Sequence, residues 1–193
     1  NVRAFAVKGD FDACQALVKA CFRNPGLSRE LGLVSANSLN PARWLPQALY
    51  YFELVHRLRA EGDAQPPVIA VPSGNFGNLA AGLLAWRWGL PVAAFVAATN
   101  ANRTVPEALR TGRYEARPSL PTLSNAMDVG DPSNWPRTRT LLGGAVPWLR
   151  AGWANEAETV QALRALWAGG YAADPHGAVG HAVLLRALRP GER

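Results

Sequence analysis

Short apolar runs alternate along the chain with longer segments in which apolar residues recur every three or four positions. The run from Val68 to Val71 is uninterrupted, which is typical of a strand buried on both faces of a sheet. Similar runs predict strands over Val92–Ala97 and over Val2–Val7. Because predicted strands alternate with predicted helices, the pattern favours an α/β architecture with a parallel sheet.

The first two predicted helices begin at polar residues that can act as N-caps. Asp10 precedes a helix that Asn24-Pro25-Gly26 interrupts, and its apolar residues share one face: Cys14, Leu17, Val18 and Cys21. Asn40 and Pro41 have the N-cap and first-turn pattern of a second helix, which we expect to reach about Ala60. Its buried face is predicted to comprise Leu45, Ala48, Leu49, Phe52 and Val55.

The middle of the chain carries two more helix signals. A helix is predicted over Leu79–Trp88, and Gly89 ends it. Thr104 and Glu107 have the spacing of a capping box, and Gly112 ends the short helix that they begin.

The last part of the chain contains a long loop and then two helices. Residues 111–136 are rich in Pro, Ser, Asn and Asp, and loops of this length in a compact domain are usually functional or mobile. Asn155 and Glu158 predict a capped helix that ends at Gly169-Gly170. Asp174-Pro175 repeats the N-cap and proline pattern and begins the last predicted helix.

The composition is that of an ordinary globular protein. The 193 residues are 49% hydrophobic and 18% charged, which argues against disorder. No apolar run approaches the roughly 20 residues that a membrane helix needs, so we expect no membrane partner. The net charge of +6 comes from basic residues that never form a run of three, so we also expect no nucleic-acid partner.

Two cysteines, Cys14 and Cys21, are seven residues apart in a predicted helix. Two helical turns separate their backbones by roughly 10 Å, which is too far for a disulfide bond. We therefore expect both thiols to be reduced and the protein to be cytoplasmic.

The strand, turn and helix over residues 68–88 form the segment with the clearest chemical signal. Gly74 and Gly77 allow a tight turn and a close approach of the backbone to a ligand. The next helix turns its free N–H groups and the positive end of its dipole toward this turn, which suits a phosphate. The turn also contains neutral polar side chains from Ser73, Asn75 and Asn78.

A second interpretation of the same segment requires no ligand. Serine and asparagine side chains also cap helices, so the segment can be a plain strand-to-helix turn. Its spacing matches neither the mononucleotide loop with a Gly-Lys-Ser/Thr ending nor the Gly-x-Gly-x-x-Gly dinucleotide loop. The residues alone leave both interpretations open.

Several segments together are more specific than any one of them, and they occur in the same order over essentially the whole chain. The segments are Gly9–Gln15; Ser35–Asn40 with Arg43; Val71–Asn78 followed by Ala98-Thr99-Asn100; and Leu123–Val129 with Pro132–Arg137. Together they resemble the threonine synthase family, within the fold type II enzymes that depend on pyridoxal phosphate.

This resemblance implies a three-layer α/β fold with a parallel sheet, similar to the tryptophan synthase β-subunit. It implies pyridoxal 5'-phosphate as the cofactor and a reaction that converts O-phosphohomoserine and water to threonine and phosphate. By resemblance, the cofactor phosphate is held by Ser73, Gly74, Asn75, Phe76, Gly77 and Asn78. The substrate phosphate is expected near Ser38, Asn40, Arg43 and Asn75.

Physical chemistry supports part of this assignment. Arg43 falls in the first turn of its predicted helix, where an anion is already favoured, and a guanidinium binds phosphate with two hydrogen bonds. Asn40 can act as an N-cap and as a ligand at once. His176 lies in a segment similar to one that the family places beside the cofactor, where Gly177 has no hydroxyl for the pyridine nitrogen. The sequence indicates no functional role for Asn125 or Asp128.

The Schiff-base lysine that such a cofactor needs is the main departure from the family pattern. The sequence contains only Lys8 and Lys19, and both have the pattern of ordinary solvated lysines. We therefore expect that lysine to lie outside this chain and the fragment alone to be inactive. Residues 1–30 are expected to end a small domain, and residues 31–193 to form most of a large cofactor-binding domain.

Two other functions remain open from the sequence. One is a related pyridoxal-phosphate-dependent lyase or dehydratase that acts on another amino acid. The other is a phosphate-binding α/β module without catalytic activity. The sequence does not indicate an oligomeric state.

Overall fold

The computed structural model describes residues 3–36, 40–144 and 148–193. Contacts between Cα atoms divide the chain into two compact units, Asn1–Ser35 and Ala36–Arg193. The described part of the first unit contains helices, and the second unit contains a three-stranded sheet with helices.

The first unit contains helices α1 (Phe11–Arg23) and α2 (Pro25–Leu31). Asp10 caps α1 as expected, because its carboxylate accepts a hydrogen bond from the Ala13 N–H at 2.8 Å. The sequence pattern does not predict α2. Asn24 ends α1 and also caps α2 by accepting a hydrogen bond from the Leu27 N–H at 3.0 Å. An Asn-Pro pair that breaks one helix thus begins another.

Two further expectations for this unit are wrong. Residues 3–7 form no strand, and Phe5 is exposed. A strand needs a hydrogen-bonded neighbour, and the strands in the described part of the chain pair only with one another. Leu17 is also exposed, while Gln15 is the buried residue of α1. Cys14 and Cys21 are both free thiols, as predicted.

The second unit is built on strands β1 (Val68–Pro72), β2 (Ala94–Thr99) and β3 (Leu149–Trp153). They lie in the order β1-β2-β3, and both pairs are parallel. β1 and β2 confirm the two buried strands of the sequence analysis, with β2 displaced by two residues. The sequence analysis missed β3, because its Leu-Arg-Ala-Gly-Trp sequence is only half buried and has no continuous apolar run.

Helices cover both faces of this sheet and give three layers. On one face, α3 packs on α4 and α4 packs on α6, around alternate strand residues such as Ile69 and Phe95. On the other face, α8 packs on all three strands and on α7, around residues such as Val68 and Val96. The helices of this unit are α3 (Trp44–Ala60), α4 (Gly77–Arg87), α5 (Thr104–Thr111), α6 (Trp135–Leu142), α7 (Glu156–Ala168) and α8 (Pro175–Ala187).

The buried face of α3 differs from the expected one. Its buried residues are Trp44, Ala48, Tyr51 and Val55, which recur at helical spacing and belong to the core cluster that α4 shares. Leu45 and Leu49 are exposed at 50% and 64%. This helix has apolar residues on more than one side, so periodicity alone could not identify the stripe that packs on α4.

One of the two predicted capping boxes forms and the other does not. Asn155 and Glu158 exchange both hydrogen bonds of the box, at 2.9 and 2.8 Å. Thr104 instead lies inside α5, and its hydroxyl donates to the Gly130 carbonyl at 2.9 Å. Glu107 pairs with Arg103 and Arg117, at 2.6 and 2.5 Å. Tertiary partners therefore replace the local motif.

The predicted long loop over residues 111–136 is mostly irregular, and two elements lie in or beside it. Asn125–Met127 forms a single 3₁₀ turn. α6 begins at Trp135, within the last residues of the predicted loop, and the sequence analysis did not anticipate it. Its first turn contains Pro136, which is favourable there because the missing N–H needs no partner in a first turn.

Candidate functional site

The segment Ser73–Phe76 connects the carboxyl end of β1 to the N-terminus of α4. In open parallel sheets, ligands bind beside the carboxyl ends of the strands. The segment after β2 begins at Asn100, at the same edge of the sheet. The sequence-predicted phosphate loop therefore lies where this architecture binds ligands.

Phe76 determines how α4 begins. It is the N-cap residue and adopts the left-handed conformation with φ of 62°. Its side chain has no polar atom, so it cannot satisfy the N–H groups of the first turn. The ring is buried and packs edge-on against Trp135, with 5.6 Å between ring centroids. The N–H groups in the first turn of α4 therefore receive no hydrogen bond from the side chain of the cap residue. Helix N-termini that bind anions use such N–H groups as donors.

Ser73 and Gly74 place the loop rather than presenting polar side chains. The Ser73 hydroxyl donates to the Val71 carbonyl at 2.8 Å, and its N–H donates to the Ala98 carbonyl at 2.8 Å. A Cβ at Gly74 would lie 2.8 Å from Met127 Cα and 2.9 Å from the Ala126 carbonyl oxygen. The glycine is therefore needed because the 3₁₀ turn packs against the loop at this point.

Asn75 links the loop to the segment that precedes α6. Its Oδ1 accepts hydrogen bonds from the Ser133 N–H at 2.6 Å and from the Ser133 hydroxyl at 2.9 Å. With the oxygen used in this way, the NH₂ group is the part of the side chain that can donate to an anion.

Asn78 connects α4 to α3. Its Oδ1 accepts from the Tyr51 hydroxyl at 2.6 Å, and its Nδ2 donates to Gln47 Oε1 at 3.1 Å. Burial raises the pKa of the Tyr51 hydroxyl, and the nearby Tyr50 adds to the shift, so Tyr51 stays a donor. The Asn78 side chain therefore connects α4 to α3 through hydrogen bonds. The group of Asn78 that can bind a ligand is its backbone N–H.

The residues predicted near a second phosphate lie at the start of α3. Asn40 caps the single 3₁₀ turn Pro41–Arg43 by accepting from the Ala42 N–H at 3.1 Å. Arg43 is exposed and donates to the Ala36 carbonyl at 2.6 Å. Ser38 lies outside the described residues.

Gln47 brings the start of α3 next to the start of α4. Its Nε2 donates to the Arg43 carbonyl at 2.7 Å, and its Oε1 accepts from Asn78. Two turns that the sequence analysis places near phosphates are thus joined through one side chain. Gln47 is not among the predicted site residues, although its position four residues after Arg43 places both on one face of a helix.

A buried polar network that the sequence analysis left without a role holds the loop after β2. Asp128 accepts hydrogen bonds from Asn100 Nδ2 at 2.9 Å, Thr122 N–H at 2.9 Å and Thr122 Oγ1 at 2.7 Å. Asn100 and Ser124 are each 1% exposed. The signal that could have revealed this network is the polar Asn100 directly after a fully buried strand.

His176, at the N-terminus of α8, reaches the same loop. Its Nε2 accepts a hydrogen bond from the Ala126 N–H at 3.2 Å, and its Nδ1 lies 3.0 Å from Asp174 Oδ2. Asp174 also accepts from the Gly177 N–H at 2.8 Å. These hydrogen bonds lower the pKa of the Asp174 carboxyl.

The described residues match neither the pattern of a metal-ligand cluster nor that of a membrane-spanning helix. In this part of the chain, no group of three or more His, Cys, Asp or Glu side chains is placed to hold a metal ion. No helix among those described has both the length and the apolar composition needed to cross a bilayer.

The whole length of this chain aligns with curated threonine synthases. Threonine synthases of Haemophilus influenzae and Escherichia coli are 47% and 49% identical to it, and each alignment covers 100% of this chain. These alignments cover 46% and 45% of the two relatives. The chain therefore spans less than half the length of the curated relatives it matches.

Solved structures agree with this similarity. The crystal structure of threonine synthase from Escherichia coli matches with a TM-score of 0.92 and 48% identity, over 97% of this chain and 44% of that one. The pyridoxal-phosphate-bound threonine synthase from Brucella melitensis matches with a TM-score of 0.80 and 30% identity, over 99% of this chain and 47% of that one. These matches confirm the predicted fold class.

A family model also matches the sequence directly. It is described as a pyridoxal-phosphate dependent enzyme, and it matches residues 1–193. The chain therefore belongs to the family of pyridoxal-phosphate-dependent enzymes.

Proposed function

We propose that the protein containing this chain is a threonine synthase, a carbon–oxygen lyase that converts O-phosphohomoserine and water to threonine and phosphate. The observation that carries the proposal is the Gln47 link between the start of α3 and the start of α4. It joins two turns that each suit a phosphate, and this reaction needs a phosphate on the cofactor and another on the substrate. The similarity to threonine synthases supports the same function.

The residues of the β1–α4 segment fit the phosphate of the cofactor. Phe76 leaves the first turn of α4 uncapped by its side chain, and that turn begins with Gly77 and Asn78. N–H groups at a helix N-terminus bind phosphate without a charged side chain. Ser73 and Gly74 hold the backbone of the loop in place, and Asn75 adds an amide donor. When bound, pyridoxal phosphate supplies an electron sink for bond cleavage at the substrate.

The start of α3 is proposed to hold the substrate phosphate. The Arg43 guanidinium can make two parallel hydrogen bonds to it, and Asn40, Ser38 and Asn75 would add neutral donors. Orienting the leaving phosphate in this way lets the protein favour its departure over other reactions of the bound substrate.

We propose that the lysine that binds the cofactor covalently lies outside these 193 residues. Lys8 and Lys19 belong to the unit Asn1–Ser35, and the unit Ala36–Arg193 contains no lysine.

We propose further that residues 1–30 end a small domain and residues 31–193 form most of the cofactor-binding domain. Gly177 donates its N–H to the Asp174 cap of α8 and has no hydroxyl, so it offers no side-chain contact to the pyridine nitrogen.

The chemical partners follow from this proposal. The substrate is O-phosphohomoserine and the cofactor is pyridoxal 5'-phosphate, with no nucleic-acid or membrane partner. A cytoplasmic location is proposed because Cys14 and Cys21 are both free thiols.

The full-length protein provides the test. It would be incubated with pyridoxal phosphate and reduced with borohydride, and the modified lysine would be mapped by peptide mass. We expect one labelled lysine outside this chain and, in a sample that is not reduced, release of phosphate and threonine from O-phosphohomoserine. Labelling at Lys8 or Lys19 would refute the placement of the lysine.

Unreduced samples of the same protein, assayed alongside the reduced ones, separate the two alternative functions. Conversion of an amino acid without a phosphate group to a keto acid, with no threonine formed, would favour a related lyase or dehydratase. Absence of any labelled lysine, with retained binding of inorganic phosphate, would favour a phosphate-binding module. Either result would overturn the proposed function.

A further inference from the structure

We propose that His176 is a positioning residue that sets the phosphate-binding loop by holding the turn Asn125–Met127 against Gly74. Its effect on cofactor binding rests on the function proposed above. The contact itself stands on the geometry of the described residues, and it can be measured without any cofactor.

Asp174 fixes the orientation of the His176 ring. One carboxylate oxygen of Asp174 accepts from the Gly177 N–H at 2.8 Å as the cap of α8, and the other lies 3.0 Å from His176 Nδ1. Because Nε2 accepts a hydrogen bond from the Ala126 N–H at 3.2 Å, Nε2 carries no proton. The proton of the neutral ring therefore lies on Nδ1, where it can be donated to Asp174.

The turn that His176 holds is in contact with the loop that begins α4. A Cβ on Gly74 would lie 2.8 Å from Met127 Cα and 2.9 Å from the Ala126 carbonyl oxygen, so no space separates the two backbones. His176 bonds the N–H of the same Ala126. Because the two backbones are in contact, a displacement of Ala126 must also shift Gly74 and the loop that contains it.

The other anchors of this segment lie on either side of the turn. Asp128 is held by Asn100, and the Leu123 N–H donates to Glu156 Oε1 at 3.1 Å. Within the turn, the Met127 N–H donates locally to the Ser124 carbonyl. The hydrogen bond to His176 connects the middle of the turn to α8.

Amide substitutions of His176 separate positioning from general stability. The Oε1 of glutamine reaches about as far as Nε2, whereas the amide of asparagine reaches only about as far as Nδ1. His176→Gln should therefore keep an acceptor for Ala126, and His176→Asn should not. His181→Gln, on the same helix and outside this contact, is the matched control.

The variants would be made in the full-length protein, and dissociation constants for pyridoxal phosphate would be measured by absorbance titration. We expect His176→Asn to weaken binding about tenfold, the upper range for one lost hydrogen bond. His176→Gln and the control should stay within about threefold of the parent. The thermal midpoints of the cofactor-free proteins should agree to within about 2 °C.

Equal affinities of the Asn and Gln variants, or a loss of affinity that follows a fall in thermal midpoint, would overturn the proposal. Hydrogen exchange of the Ala126 amide in the cofactor-free protein gives a second readout. Exchange should be faster in His176→Asn than in His176→Gln, and equal exchange rates would refute the contact. If the parent protein binds no pyridoxal phosphate, the proposed function fails, and this exchange measurement alone decides the role of His176.

Discussion

The Oδ1 atom of Asn75 accepts two hydrogen bonds from Ser133, one from its backbone N–H at 2.6 Å and one from its hydroxyl at 2.9 Å. This relationship ties the loop after β1 to the segment that leads into α6. It also fixes the direction of the amide, because the oxygen faces Ser133 and the NH₂ group is the donor end of the side chain. The position therefore combines a structural acceptor with a donor suited to phosphate.

Asn75→Asp should separate these two roles. The carboxylate keeps acceptor oxygens for Ser133, so the loop should keep its place, but the amide donor is lost and a negative charge is added. We expect the KM for O-phosphohomoserine to rise at least about tenfold, because a like charge disfavours a bound phosphate. Steady-state kinetics of the full-length protein would check this, with Ser133→Ala as the control that removes one structural hydrogen bond. A KM equal to that of the parent would contradict the assignment.

Gly74→Ala should destabilise the protein. The added methyl group would meet the backbone of Ala126 and Met127, which cannot move aside as the end of a side chain can. We expect the free energy of unfolding to fall by about 1–3 kcal/mol, the usual cost of overpacking. Denaturant titration would measure this.

Gly169→Ala is the matched control for that substitution. Gly169 has a φ of −80°, and a Cβ there would meet its nearest neighbour at an ordinary 3.4 Å. The free energy of unfolding of the Gly169→Ala variant should differ from that of the parent by less than about 0.5 kcal/mol. Similar losses in both variants would show that the packing between Gly74 and the 3₁₀ turn is not the cause.

The sequence predicted those parts of the fold that depend on local signals. Asn155 with Glu158 formed its capping box, and the apolar run Val68–Val71 lies in a buried strand. Thr104 and Glu107 had an equally good local pattern, but partners distant in the sequence engage both side chains. Local pattern cannot show which polar side chain finds a tertiary partner.

The same limit applies to the candidate site. Glycine in the β1–α4 segment predicted a close approach of backbone at Gly74, but the approaching group is the turn at Ala126 and Met127. The roles of Gln47 and His176 depend on partners 31 and 50 residues away. Such pairs carry no periodicity or motif, so a single sequence gives no signal for them.

Arg43→Ala should weaken the use of substrate much more than the binding of cofactor. A guanidinium bound to phosphate by two charge-assisted hydrogen bonds is lost, which corresponds to a fall in kcat/KM of roughly 30-fold or more. The dissociation constant for pyridoxal phosphate should stay within about twofold. Equal activity of the variant and the parent at low substrate would remove Arg43 from the site.

Arg57→Ala is the control for the loss of an arginine from α3. Arg57 is exposed and pairs with Glu53 four residues earlier, and such surface pairs contribute little. Its kcat/KM should match that of the parent. A comparable loss in both variants would point to the net positive charge of this region rather than to a phosphate contact.

Tyr51→Phe tests the connection between α3 and α4. The substitution removes the hydroxyl that donates to Asn78 Oδ1 at 2.6 Å. The partly buried Oδ1 atom then loses this hydrogen bond. We expect the free energy of unfolding to fall by about 1–2 kcal/mol. Tyr50→Phe, at a 49% exposed neighbour, should change it by less than about 0.5 kcal/mol. Equal effects of the two changes on denaturant midpoints would contradict this connection.

Arg150 and Glu192 should make part of the stability depend on pH. Arg150, in β3, donates to both carboxylate oxygens of Glu192, at 2.6 and 2.5 Å. These hydrogen bonds lower the pKa of the Glu192 carboxyl from 4.5 to about 2. A carboxyl whose pKa is lower in the folded state stabilises the fold above its unfolded pKa, and the contribution is lost as the pH falls through the folded pKa.

The stability of the parent protein should therefore decrease between pH values of about 4.5 and about 2 more steeply than that of Glu192→Gln, which cannot titrate. Urea unfolding at a series of pH values would measure the two slopes. Glu61→Gln keeps the Arg150–Glu192 pair and is the control for the loss of a carboxylate. Parallel curves for the parent and Glu192→Gln would mean that the pair does not lower the carboxyl pKa in solution, because only a difference in proton binding between folded and unfolded states produces a slope.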